Sequence, residues 1–180
     1  MRPPPVLTPP NATRAGFSTP KRFNPVSWLV RTLTKSRCSH TWFLYHDHDF
    51  DMEMVMEAHE IGFRLVPYEH FKKKNNVVAL FVPRVPIEVG LKKVAQTYLD
   101  THYDYAGLIG MAVVAIGKIL KRKWKNPFTS STHVFCSEAM TRAMKWSPGY
   151  EKLQLDPDNV EPQEILEYFE KDGSISLAIA

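Results

Sequence analysis

The chemistry-bearing residue with the most informative setting is Cys136, in the stretch VFCSEAMTRAM. Two β-type residues, Val134 and Phe135, give way there to a helical pattern, so the thiol falls at or just before a helix start. Unpaired amides and the macrodipole at such a start favour thiolate over thiol, which makes a nucleophile of the sulfur. A buried free cysteine on a helix has the same local sequence, because free Cys is among the most buried residue types. A thiolate hydrolase also requires an imidazole to hold and return the proton, and commonly a third polar group to orient that imidazole.

Seven histidines are present. His46 and His48 sit with Asp47, Asp49 and Asp51 in a polar run that reads as a solvated hairpin loop. His59, His70 and His102 have polar, turn-like neighbours, and His133 is three residues ahead of Cys136. His40 differs, since Cys38, Trp42 and Leu44 alternate with it and a strand's period of two puts all four on one face. A histidine so placed is either a hydrogen-bonded core residue or a base held rigidly against a nucleophile. Glu57, near the end of MEMVMEA across the hairpin, is within reach of the second imidazole nitrogen; it equally suits a solvent-facing strand position.

The elements that must position these residues follow from pattern. SWLVRTLTK reads as a helix capped by Ser27, with Trp28, Leu29 and Leu33 inward. CSHTWFLYH and MEMVMEA read as paired strands, Phe63 to Val66 as a short strand, YEHFKKKN as a break, and Val77 to Val82 as a further strand. At least three neighbouring antiparallel strands are expected. Beyond Pro86 the period lengthens to that of a helix, with Val89, Val94, Ala95, Tyr98 and Leu99 inward. Further helices are expected from Tyr105 to Leu120, Ser137 to Met144 and Pro162 to Lys171, the last stopped by Gly173. Strands followed by helices make an α+β fold.

Composition bounds the rest. The 180 residues, 44% hydrophobic, suit one globular domain. Residues 1–25 hold seven of the fourteen prolines and read as an extended or disordered arm, leaving 26–180 as a single domain. The net charge of +4 is too small to imply nucleic acid, and two cysteines build neither a disulfide scaffold nor a four-cysteine zinc site. No cofactor is expected. A metal site on His46, His48, Asp49 and Asp51 is the rival from another class. The N-terminus lacks the apolar run of a secretory signal, and the longest apolar stretch, Tyr105 to Gly117, is short of the ~20 residues that span a bilayer. The expected setting is cytoplasmic, virion-associated or delivered by a lysis system. KILKRKWK, from Lys118 to Lys125, reads as a solvated helix end, with contact to an anionic surface as the alternative. Cys38, two residues from His40, reads as packing, with a disulfide to Cys136 under oxidation as the alternative.

Five segments together resemble a known family. SWLVRTLTKSRCSHTWFLY is similar to the entry segment and histidine strand of the YiiX-like, NlpC-type permuted papain-fold cysteine hydrolases. MEMVMEA resembles their next strand, YDYAGL at Tyr103 to Leu108 their Tyr-Asp-Tyr helix start, FCSEAM their nucleophile segment, and DPDNVEPQEIL their closing segment. The likeness runs in order from Ser27 to Leu166. It implies a papain-like fold in permuted order, an antiparallel sheet or small barrel against helices, with Cys136 as nucleophile, His40 as base and then acid, and Glu57 as orienting group. Tyr103 and Tyr105 are then candidate substrate-pocket walls, although a tyrosine packed at a helix start looks the same. The expected activity is cysteine peptidase or amidase action, foremost on peptide amide bonds of peptidoglycan. A lipid amide or ester hydrolase or acyltransferase of the same fold is the alternative, and a catalytically inactive interaction module is another. The chain departs from the family in its proline-rich arm and in lacking a Gly-Asp strand ahead of Ser27. It also lacks the Asn-Cys-Glu-His-Phe motif of the acyltransferase relatives.

Overall fold

The computed structural model describes residues 12–59, 62–99, 117, 120, 124 and 134–179. Among these, six strands form one antiparallel sheet: β1 (Arg14–Pro20), β2 (His40–Asp47), β3 (Met52–His59), β4 (Gly62–Pro67), β5 (Asn75–Val82) and β6 (Ile175–Ser176). Their order across the sheet is β4, β3, β2, β1, β5, β6. The helices are α1 (Pro25–Thr34), α2 (Tyr68–Lys74), α3 (Glu88–Tyr98), α4 (Cys136–Lys145) and α5 (Pro162–Lys171). The architecture is therefore α+β, an antiparallel sheet packed against helices.

The two faces of the sheet bury separate clusters. On one, Phe17, Phe43, Met56 and Phe81 pack with Val94 of α3, Met140 and Met144 of α4, and Ile165 and Phe169 of α5. On the other, Trp42, Leu44, Val55 and Leu80 pack with Phe71 of the short α2. Alternation along β2 accounts for this division, since Phe43 points one way and Trp42 and Leu44 the other. Cys38 precedes the strand and joins the first cluster with Cys136, so it does not share the face of Trp42 and Leu44.

The stretch read as an arm contains β1, which lies in the middle of the sheet between β2 and β5. RAGFSTP carries few apolar residues, yet it is buried along most of its length because both neighbours supply its backbone partners. Gly16 stands opposite Trp42 in register, and a Cβ on Gly16 would lie 2.4 Å from the indole. The small residue makes room for the large one.

Three further expectations change. Helix α1 begins two residues earlier than read, at Pro25, with Asn24 as its cap; the Asn24 side chain accepts from the Ser27 amide at 2.9 Å. Trp28 and Leu29 point to solvent rather than inward. In α3, Val94 and Tyr98 are buried as expected, but Val89, and Leu99 just past its end, are exposed. YEHFKKKN is mostly helix α2 rather than a break, with Phe71 as its buried anchor. The helix expected from Tyr105 to Leu120 lies almost wholly outside the described residues.

Helix α4 carries Cys136, and one contact near each of its ends holds it in place. Gly90 of α3 approaches α4 so closely that a Cβ would lie 1.7 Å from the Ala143 carbonyl oxygen. Thr41 of β2 donates its hydroxyl to the Cys136 carbonyl at 2.8 Å, joining the helix start to the sheet.

Candidate active site

His40 is the first residue of β2 and Cys136 the first of α4. Phe135, extended at φ −103° and ψ 166°, turns the chain into α4 without any side-chain cap. Among the described residues, the sulfur then lies where backbone amides of Ser137 and Thr41 favour its thiolate form. His40 stacks on Phe71 with ring centroids 6.4 Å apart and planes 29° from parallel, which fixes the imidazole on its α2 side. Glu57 Oε2 lies 2.6 Å from His40 Nε2, leaving Nδ1 as the nitrogen for the sulfur.

Behind Glu57 stands Arg64. Its Nε and Nη2 donate to Glu57 Oε1 at 3.0 and 2.7 Å. The β3–β4 register places these residues directly opposite. With a side chain 1% exposed, Glu57 is buried between a histidine and an arginine, one on each carboxylate oxygen.

The electrostatics follow from these contacts. Burial opposes the Cys136 thiolate, but hydrogen bonding and positive charge from His40, with the Thr41 and Ser137 amides, hold the thiol below its usual range. Burial likewise disfavours the His40 imidazolium; hydrogen bonds to Cys136 and Glu57, and their negative charges, nevertheless raise it to about 10. Burial would raise the Glu57 carboxyl, yet His40 and Arg64 bring it down to about 2. The arrangement favours thiolate, imidazolium and carboxylate side by side, with the guanidinium next. His40 keeps 18% of its side chain exposed while Cys136, 6% exposed overall, is buried, so the imidazole is the member of the pair that meets solvent.

Cys38 and Cys136 are both free thiols. Burial pushes Cys38 up to about 11, despite its contact with the Ser36 hydroxyl, so its protonated form is favoured where that of Cys136 is not. The polar loop residues behave as local partners: His46 Nε2 is 3.4 Å from Asp51 Oδ1, and the His46 and His48 rings are 5.0 Å apart. Among the described residues, no group of three or more His, Cys, Asp or Glu side chains is arranged to hold a metal ion. Tyr103 and Tyr105 lie outside the described residues.

Arg64 and Thr41 were absent from the sequence reading. Arg64 was within reach of it, because a tight β3–β4 connection that pairs His59 with Gly62 must also pair Glu57 with Arg64. Thr41 had no such signal, since its partner is a backbone carbonyl 95 residues away. A second ion pair, with its carboxylate buried, also emerges in α4. Glu138 accepts from Arg142 Nε at 2.8 Å, and Arg142 Nη2 reaches Asp158 Oδ1 at 3.0 Å. Burial raises the Glu138 carboxyl to about 7 against the opposing pull of Arg142.

Fold and geometry together define an α+β protein with a thiol, an imidazole and a carboxylate gathered where the sheet meets a helix start. No family model matches the chain, and no curated protein matches it.

Proposed function

We propose that this chain is a cysteine hydrolase of permuted papain-like, NlpC-type fold, acting on amide bonds. The observation carrying this reading is the 2.6 Å contact from Glu57 to His40 Nε2, on an imidazole whose interaction with Cys136 favours the thiolate. The chain order, histidine strand before nucleophile helix, is that of the permuted arrangement.

The Cys136 thiolate attacks the scissile carbonyl carbon, forming a C–S bond and a tetrahedral oxyanion. Collapse breaks the C–N bond as His40 gives its proton to the departing nitrogen, leaving an amine and a thioester. Water then attacks the thioester while His40 accepts its proton. The C–S bond breaks, a carboxylic acid departs and the thiolate returns. Glu57 supports the imidazolium in both halves, and Arg64 positions Glu57. The substrate class we assign is peptide amide, foremost the peptides of peptidoglycan.

Among the described residues no helix is long and apolar enough to cross a membrane. Activity-based labelling with an iodoacetamide probe, mapped by peptide mass, tests the assignment of the nucleophile. Cys136 is expected to react at neutral pH and Cys38 not. Cys136→Ala is expected to abolish turnover of a peptide amide with the melting temperature nearly unchanged; retained turnover overturns the mechanism. Turnover lost to a chelator but not to a thiol alkylator would favour the metal reading instead.

A further inference from the structure

The β1–α1 turn and the outer side of α1 border an open cavity of about 570 Å³ that the hydrolase chemistry does not use. Lys21, Arg22, Arg31 and Lys35 line it, and no acidic residue does. Among the described residues none of these cations is in an ion pair, in contrast to Arg14, Arg37, Arg64 and Arg142. Trp28, Arg31, Thr32 and Lys35 recur at helical spacing, so one stripe of α1 supplies much of the lining. The Lys21 amide donates to the Lys74 carbonyl at 2.9 Å, which brings the exposed, basic end of α2 alongside the same surface.

Beside the cations are three exposed apolar side chains, Phe23 and Trp28 in the lining and Leu29 next to Trp28 on α1. Phe23 is 80% exposed, Trp28 56% and Leu29 42%. Trp28 and Leu29 reach solvent from a ten-residue helix whose first turn holds no acid. Unpaired cations around a cavity call for an anion of several oxygens, and exposed Phe, Trp and Leu call for an apolar phase. A membrane carrying anionic phospholipids offers both at one surface: phosphodiester heads for the cations, and the interface for the aromatic rings and Leu29.

We propose that this cavity is a binding site for the phosphate head group of an anionic phospholipid, by which α1 seats the protein on a membrane surface. Free inorganic phosphate would use the cations and leave Phe23, Trp28 and Leu29 without a role. A single-stranded nucleic acid would stack on the two rings and leave Leu29 unused. The site adjoins the candidate catalytic residues: Ser27 Oγ lies 2.6 Å from Ser39 Oγ, one residue before His40, and Ser36, which lines the cavity, contacts Cys38. The inference concerns binding alone and stands whether or not Cys136 turns over a substrate.

The test is sedimentation of the full chain with phosphatidylcholine vesicles, with and without phosphatidylserine. Binding is expected only where phosphatidylserine is present, and is expected to fall steeply as salt shortens the Debye length from about 10 to about 3 Å. At about fivefold in partitioning for each cation at the surface, Arg31→Gln with Lys35→Gln is expected to weaken binding about 30-fold. Trp28→Ser is expected to weaken it at unchanged net charge. Lys92→Gln with Lys152→Gln, on α3 and beyond α4, removes the same charge elsewhere and is expected to leave binding within about threefold. Equal losses from both double variants would overturn the site, as would undiminished binding by Trp28→Ser. Tighter binding to a single-stranded oligonucleotide than to vesicles, or saturation by inorganic phosphate without vesicle binding, would overturn the lipid assignment.

Discussion

Replacing Glu57 by Gln keeps the shape of the side chain and removes its charge, so it measures what the carboxylate contributes to His40. The imidazole is held up from 6.5 to about 10 by two anionic partners, Cys136 and Glu57, against the opposing effect of burial. A charge-assisted hydrogen bond contributes about 1.5–3 kcal/mol, and one pKa unit corresponds to about 1.4 kcal/mol, so loss of the Glu57 charge lowers His40 by about 1–2 units. The remainder persists through Cys136. The measurement is NMR titration of the His40 ring protons, with expected movement from about 10 to about 8–9. Stability changes with it. His40 is raised in the folded state, so its contribution is complete below pH 6.5 and is lost as pH rises toward 10; the variant loses it sooner. Glu57 is lowered, so its contribution is present above pH 4.5 and is lost as pH falls toward 2; the variant lacks that acid-side loss. A His40 titration that stays near 10 in Glu57→Gln would refute the assignment of Glu57 as orienting group, leaving the 2.6 Å contact a structural one.

Two more substitutions probe how the site is held. Gly90→Ala, inside a helix, would ordinarily stabilise by about 0.5–1 kcal/mol. Here the added Cβ meets the Ala143 carbonyl at 1.7 Å, so α3 must part from α4. A net cost of about 3 kcal/mol is expected, lowering Tm by roughly 6–12 °C, and an increased Tm would show that the helices do not meet as described. Glu138 has a folded pKa raised to about 7, so the stability linked to it is greatest below pH 4.5 and is lost as pH rises to 7. Glu138→Gln is therefore expected to flatten the dependence of Tm on pH between those limits, and a slope identical to the parent's would mean that Glu138 is not the group titrating there.

The parts legible in sequence were those with strong local periodicity. Alternation in β2 and β3, the helical period of α4 and α5, and the Pro162 start and Gly173 stop all appear within a residue or two of expectation. Strand β1 escaped because RAGFSTP has few apolar side chains; its burial comes from β2 and β5, whose nearness is a tertiary fact. The same limit explains α1. Periodicity marks Trp28 and Leu29 as one apolar patch, but whether a patch faces a core or remains outside depends on what packs against it. Within the site, period singles out His40, whereas Glu57 rests more on the family resemblance, because its place on β3 suits a solvent-facing residue as well. The approach of Cys136 to β2 through Thr41 could not be placed, because it joins a hydroxyl to a backbone carbonyl from a distant part of the chain.

The four charges have an order that explains why Arg64 belongs with the site although it lies behind Glu57. Cys136, His40, Glu57 and Arg64 alternate in sign from thiolate to guanidinium, so each interior charge has an opposite charge on both sides. Without Arg64, Glu57 would keep one cation for two buried oxygens, and burial would push its carboxyl upward toward sharing the His40 proton. A neutral imidazole beside a neutral carboxyl would no longer hold the thiolate. Arg64 can close the series because a quarter of its side chain meets solvent, so the last charge is partly hydrated and needs no further partner inside. The acidity of Cys136 thus depends on a residue three charges away, and the β3–β4 register sets that dependence as firmly as the thiol's own position at the start of α4.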